Sequence, residues 1–303
     1  MMDGILPIWK PKGITSHDCV FRVRKMLKMK KVGHTGTLDP EVEGVLPICL
    51  GKATKISSIL MESKKVYEGE VTIGIATETE DQTGEIVEKK RVDRKLDKKE
   101  VENILSTFIG EIEQIPPMYS AIKVKGKKLY EYARKGIEME RPARKVFIHH
   151  IQLLSDVHQT EDVATFQVKV ACSKGTYIRT LCVDIGKKLG YPAHMSHLIR
   201  TESGGFKKEE AITFEALQKA IEIGEVNRYV KTMDSALQQF DELIVSNDDH
   251  KRILNGQVLP LPSKTLTTNP FRIKTEDGEL LALYQQHPDK PNVMKPFKML
   301  VVN

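Results

Sequence analysis

Residues 31–55 read KVGHTGTLDPEVEGVLPICLGKATK. Gly33, Gly36 and Gly44 punctuate the first part of this stretch, and glycine lets a backbone turn tightly without steric cost. The punctuation predicts a loop over residues 33–44 rather than a regular element. Asp39 stands in that loop between Leu38 and Pro40, with apolar residues beyond it. Taken alone, an Asp-Pro pair is a turn cap and His34 a structural histidine. A functional reading has to come from what surrounds them.

Upstream, Thr15 and Asp18 have the spacing of a capping box, and Val20, Val23 and Leu27 follow on one helical face. Downstream, a helix is expected over about 52–63, with Ile56, Ile59 and Leu60 inward. Residues 66–76 alternate as a strand, with Tyr67, Gly69, Val71, Ile73 and Ile75 on one face. DQTGE at 81–85 is a turn. Asp97 and Glu100 form a second capping box ahead of Val101, Ile104, Leu105 and Phe108. The prolines of PPMYSA, 116–121, exclude a regular helix there. Strands are expected at 146–154 and 163–172, the second with Ala164, Phe166, Val168, Val170 and Cys172 on one face. SKGT at 173–176 then turns into a helix over about 177–190 with Leu181, Ile185 and Leu189 inward, and another helix fits 213–223. After about 240 the character changes. ILNGQVLPLP, FRIKT, GELLALYQ and FKMLVVN read as short strands joined by turns. The fold class expected is α/β (α+β): a mixed-sheet body with a small C-terminal all-β, barrel-like module.

At 303 residues the chain has room for one large domain and one small one. No run of about 18 apolar residues is present, so no membrane span is expected. The start, MMDGILPIWKPKG, lacks the features of a secretory signal. Cys19, Cys49, Cys172 and Cys182 form no CxxC pair, and their scatter suits buried, reduced thiols in the cytoplasm. His194 and His197 have no carboxylate or cysteine cluster beside them, so no metal site is expected. GHTG resembles the histidine-glycine phosphate loops of nucleotidyltransferases, but the second histidine is missing. No Walker loop, no GxGxxG after a strand, no GxSxG and no HExxH occur. The net charge of +6 permits an anionic partner. Its distribution says more: Arg22, Arg24, Lys25, Lys28, Lys30 and Lys31 form one basic run. Lys125, Lys127, Lys128, Arg134, Arg141 and Arg144 stud a second, over 123–145. Either run alone reads as a solvated face, but two of them flanking candidate motifs suit a phosphate backbone.

The block GHTGTLDPEVEGVLPICLGKATK resembles the signature of the TruB-type tRNA pseudouridine synthases. So do GILPIWKPKGITSHD, KVYEGEVTIGIATETEDQTGE, QIPPMYSAIKVKGKKLYEYARKG, CSKGTYIRTLCVDIG and HLIRTESGGF, in the family's order and across nearly all of residues 1–206. The resemblance implies a catalytic domain over 1–238, with 123–145 as a mobile basic arm that closes on RNA. The segment 239–303 more weakly resembles a PUA domain, a small RNA-binding barrel. It implies Asp39 as the catalytic carboxylate and Tyr67 as the residue that stacks on the target base and helps remove its C5 proton. Arg179 becomes the partner of the aspartate. Tyr177 and Leu198 line the pocket, Lys55 lies near it, and His34 enters the RNA loop. Lys125, Lys127 and Lys128 of the arm are expected on phosphates.

The reaction so implied breaks the N1–C1′ bond of a uridine, rotates the uracil and rejoins it through C5. As an isomerisation it requires no redox cofactor, nucleotide or metal. A carboxylate could attack C1′, add to C6 or take a 2′ proton, and the sequence leaves these three routes open. A guanidinium beside it would keep it ionised. The target uridine, 55 in the T loop of tRNA, would have to be flipped out of a folded loop. A monomer acting on tRNA without guide RNA is expected. Two other readings stand beside this one: a guide-dependent enzyme of the dyskerin kind, and a non-catalytic RNA-binding or tRNA-folding protein.

Overall fold

The computed structural model describes residues 2–262 and 265–301. The chain divides into two compact units, one of residues 1–40, 45–61 and 204–303, the other of residues 41–44 and 62–203.

In the first unit, helix Ser16–Leu27 begins at Thr15. The Thr15 side chain accepts from the Asp18 N–H, and the Asp18 carboxylate accepts from the Thr15 N–H. This is the expected capping box, worth about 1 kcal/mol. The inner residues Cys19, Val20 and Val23 pack with Leu6 and Ile8 of strand Gly4–Lys10 and with Leu46, Ile48 and Leu50 of strand Glu43–Leu50. The helix expected over 52–63 is instead a 3-10 segment, Gly51–Ile56, followed by a short helix, Ser57–Glu62. Side chains tighten its first turns: Thr54 Oγ1 donates to Gly51 O and Ser57 Oγ to Thr54 O.

The C-terminal part carries the expected all-β module. Its five-stranded sheet runs in the order Glu242–Val245, Phe271–Thr275, Leu280–Gln286, Val293–Met299, Leu259–Pro260. Only the first of these neighbouring pairs is parallel. One apolar cluster gathers Phe271, Ile273, Leu281 and Tyr284, and a second joins Leu280, Leu283 and Leu300 to Ile5, Cys49, Ile56 and Leu60. The strand expected from ILNGQVLPLP is corrected: helix Asn247–Leu254 reaches into that run and leaves only Leu259–Pro260 extended. Asp248 and Asp249 in its first turn and Lys251 and Arg252 in its last complement the helix dipole. The end of the FKMLVVN reading, residues 302–303, lies outside the described residues.

The second unit is built on an antiparallel sheet in the order Ala193–Ser203, Lys65–Ile73, Ala164–Cys172, Arg144–Leu153, Gly110–Gln114. Helices Lys98–Ser106 and Ile178–Leu189 pack on it and on each other. Leu181, Ile185 and Leu189 are buried as expected, at about 1.5–3 kcal/mol apiece. The strand expected over 66–76 breaks at Gly74, whose φ of 109° suits glycine and where a Cβ would lie 2.8 Å from Asp162 O. Ile75 therefore leaves the Tyr67 face, and Ile75–Thr77 pairs with Ile86–Lys89. Asp97 precedes the expected helix but makes no side-chain cap bond; Arg94 takes the Glu100 carboxylate bidentately, at 2.7 Å to each oxygen.

Candidate active site

Of the candidate residues, His34, Asp39 and Lys55 belong to the first unit. The loop expected over 33–44 is shorter, because Gly33 lies in strand Val32–His34 and Gly44 in strand Glu43–Leu50; Gly36 and Gly44 take positive φ, and Gly33 does not. His34 ends strand Val32–His34, paired through Ile48 with Glu43–Leu50. Its Nδ1 accepts from the Gly36 N–H at 3.2 Å, so in the neutral ring Nε2 carries the proton. Asp39 is half-buried, and the main chain on both sides of it is held. Before it, the Ser16 hydroxyl accepts from the Leu38 N–H at 2.9 Å and donates to Leu38 O at 3.3 Å. After it, Pro40 O accepts from the Gly13 N–H and from the Lys10 ammonium, each at 2.9 Å. Lys10 is fully buried, and a second carbonyl, Pro11 O at 2.9 Å, helps satisfy its charge. Lys55 is placed on the C-terminal segment: its ammonium donates to Met299 O at 3.0 Å and Leu300 O at 3.3 Å. Burial, and then the charges of Lys52, Lys31 and Lys298, lower its pKa.

Tyr67, Tyr177, Arg179, Leu198 and the arm belong to the second unit. Tyr67 lies on strand Lys65–Ile73, opposite Val170 on one side and Arg200 on the other. Two residues on, Gly69 faces Leu198. A Cβ at Gly69 would stand 3.0 Å from Leu198 Cδ1 and 3.2 Å from His197 O, so glycine makes the room that Leu198 fills. Tyr177 is the N-cap of helix Ile178–Leu189, without a side-chain cap. The buried Gln114 side chain holds the main chain of that residue: its Oε1 accepts from Tyr177 N–H at 3.0 Å and its Nε2 donates to Tyr177 O at 3.1 Å.

Arg179 is buried in the first turn of that helix, where the dipole disfavours a cation. Oxygens offset the cost. Nη1 donates to Thr79 O at 2.9 Å and Nη2 to Tyr119 O at 3.0 Å, and the Asp81 carboxylate lies 3.6 Å away. Asp81 Oδ1 in turn accepts from Thr79 Oγ1 at 2.7 Å and from Thr83 N and Oγ1 at 2.9 and 2.6 Å. Glu80 sits beside them in left-handed backbone (φ 63°) and accepts from Thr180 Oγ1 at 2.6 Å. Burial raises its carboxyl pKa. The first part of the arm forms regular structure. Lys125 and Gly126, both at positive φ, turn a hairpin between Lys123–Val124 and Lys127–Lys128, ahead of the one-turn helix Leu129–Ala133. Leu129 anchors it in the interior. Lys125 and Lys127 are exposed, and Lys128 lies over the Tyr130 ring.

No motif in the sequence points to Ser16, Lys10, Asp81, Gln114 or Tyr119. Asp81 carries a signal: an Asp two residues before Thr83 has Asx-turn spacing, which by itself implies only a turn. The four cysteines are all buried, and burial pushes the Cys49 thiol up to about 12. His194 Nδ1 bonds Ile75 O at 2.8 Å. Among the described residues no three His, Cys, Asp or Glu are grouped to hold a metal ion, and no helix is long and apolar enough to cross a membrane.

Comparison with known proteins gives this arrangement a family. The profile of "TruB family pseudouridylate synthase (N terminal domain)" matches residues 24–178, and that of "tRNA pseudouridylate synthase B C-terminal domain" matches residues 179–260. The chain is 51% identical to tRNA pseudouridine synthase B of Bacillus subtilis, over 99% of this chain and 98% of that protein. It is 52% identical to its namesake in Bacillus licheniformis over the same shares. Among solved structures it resembles a chain of a Cbf5-Nop10-Gar1 complex, at 27% identity and a TM-score of 0.73, over 99% of this chain and 85% of that one. The likeness extends to an H/ACA RNP bound to a substrate RNA containing 2′-deoxyuridine, at 25% identity and a TM-score of 0.73, over 98% and 85%. With its profiles spanning most of its length and half its residues shared with such relatives, the chain belongs to the TruB family of pseudouridylate synthases.

Proposed function

We propose that this chain converts uridine 55 in the T loop of tRNA to pseudouridine, without cofactor or guide RNA, through Asp39 acting on a flipped-out base. The observation that carries the reading is the 51% identity to tRNA pseudouridine synthase B of Bacillus subtilis across nearly both chains. Each candidate residue except Lys55, whose ammonium bonds Met299 O and Leu300 O, then has a task its chemistry suits. Asp39 is the carboxylate common to all three routes at C1′, C6 or the 2′ position. Tyr67 supplies a flat stacking surface, worth roughly 1–3 kcal/mol per base, and a hydroxyl at its edge. Arg179, already fixed by two carbonyls and a carboxylate, supplies a preorganised positive charge for the anionic partner. Tyr177 and Leu198 close the pocket wall, and His34 takes the space the base vacates. Lys125, Lys127 and Lys128 hold phosphates and set register.

A flipped uracil looks the same from every uridine, so the pocket alone does not choose the site. The folded T loop does, and an isolated T-arm stem-loop should suffice. The test is incubation with unmodified tRNA transcript and with the stem-loop, followed by mapping of pseudouridine. Pseudouridine at position 55 alone in both RNAs is expected. An inert stem-loop beside reactive tRNA, or modification elsewhere, would sink the site assignment. The likeness to a chain of an H/ACA RNP, a particle with an RNA component, favours a second reading, a guide-dependent enzyme. Activity on transcript with no other RNA present decides against it.

A further inference from the structure

We propose that Ser16 is a positioning residue for the Asp39 carboxylate, acting through the peptide that joins Leu38 to Asp39. The inference rests on Asp39 being the catalytic carboxylate. Ser16 is the first residue of helix Ser16–Leu27, yet its hydroxyl does no capping, because Thr15 performs that role. It turns instead to a residue 22 positions away. It accepts from Leu38 N–H at 2.9 Å and donates to Leu38 O at 3.3 Å. Leu38 O belongs to the peptide plane from which Asp39 projects, so one hydroxyl fixes that plane and the residue before it.

Three further observations make the hold specific. Ser16 is 1% exposed, so water does not replace its hydroxyl once removed. The Leu38 side chain is itself buried, which resists a compensating rotation. On the far side, Pro40 limits Asp39 to extended backbone, and Pro40 O is tied by Gly13 and Lys10. Asp39 therefore has a fixed peptide before it and a restricted one after it. The Ser16 side is the one that a single atom controls.

The test is single-turnover kinetics with the full chain and unmodified tRNA transcript, alongside tRNA binding. Ser16→Ala should slow the maximal rate by about 10–100-fold, since a displacement of about 1 Å at a reacting group costs on that order. Its Kd for tRNA should stay within about threefold of wild type. Val23→Ala, on the buried face of the same helix, should lower the melting temperature and leave the rate within about threefold. A folded Ser16→Ala at wild-type rate overturns the proposal. So does an equal slowing by Val23→Ala, which would reveal a general structural effect. If Ser16→Ala does not fold, Ser16→Cys keeps the shape with only a weak donor and acceptor. It should slow turnover with binding kept, and a wild-type rate from it refutes the role. Asp39→Asn runs beside these. Turnover by that variant would refute the assignment of Asp39 itself, whereas an inactive Asp39→Asn with an unimpaired Ser16→Ala refutes Ser16 alone.

Discussion

Around Asp39 the main chain is tied on both sides, and at Arg179 the guanidinium is tied to two carbonyls beside a carboxylate. The loop around the aspartate is tied through Leu38 and Pro40 by Ser16, Gly13 and Lys10. The arginine is tied through its guanidinium to Thr79 O, Tyr119 O and Asp81. These ties suit the roles proposed for the two residues. A carboxylate that reacts, as proposed for Asp39, needs a steady base. A charge that only stabilises works best when its head group is immobile before substrate arrives.

Substitutions at the two places should therefore fail differently. The largest effect is expected at Asp39. Asp39→Asn keeps the shape and the loop ties, so its melting temperature should stay near wild type while turnover falls on the order of 10⁴-fold. Turnover within tenfold of wild type, with deamidation excluded, would remove Asp39 from the chemistry. At Arg179 activity and stability should fall together. Arg179→Lys keeps the charge but loses the planar fork that reaches two carbonyls. Turnover should drop about 10²-fold and unfolding free energy by about 2–3 kcal/mol. Lost activity with unchanged denaturant midpoint would show that the carbonyl contacts do not hold the residue.

The arm offers a milder contrast, since its lysines touch neither region's chemistry. Neutralising Lys125, Lys127 and Lys128 together should weaken tRNA binding and reduce the slope of log affinity against log salt by about two. The bound-state rate should persist. An unchanged slope would take the arm off the phosphates.

A further effect, on stability alone, concerns pH. Lys65, two residues before Tyr67, is buried, and burial followed by the charge of Arg200 lowers its pKa to about 8 from 10.5. The unfolded chain thus holds that proton more tightly than the folded one. The penalty is fully present below about pH 8 and disappears as pH rises through 10.5. Relative to Lys65→Met, the wild type should gain about 3 kcal/mol of stability between pH 7 and pH 10.5. A difference independent of pH would show that Lys65 is not held in this environment.

What the sequence makes legible is local. The Thr15–Asp18 box, the 164–172 alternation and helix Ile178–Leu189 each depend on neighbours within a few residues. Strand Ala193–Ser203 is not legible in the sequence, although it pairs along Lys65–Ile73. Its pattern is masked by polar residues that face inward, His194 and Arg200 among them, and by two register shifts. The Asp97–Glu100 box fails because Arg94 competes for the glutamate, which a motif spacing does not register. The candidate site shows the same division. Asp39, Tyr67 and Arg179 are named by motif. Asp81, Gln114 and Ser16 act through contacts 98, 63 and 22 residues away in sequence, which only a fold reveals.

Gln114 gives the second unit a mechanical linkage. It closes the edge strand Gly110–Gln114, and the chain runs directly from it through Pro116 and Tyr119 into the basic hairpin. Its amide is bolted at two points to Tyr177, where helix Ile178–Leu189 begins, and Tyr119 O is bonded to Arg179. The root of the arm and the start of the helix thus share one bracket. A load applied at the hairpin reaches the guanidinium by a path of rigid links, and slack enters only if one of these bonds breaks.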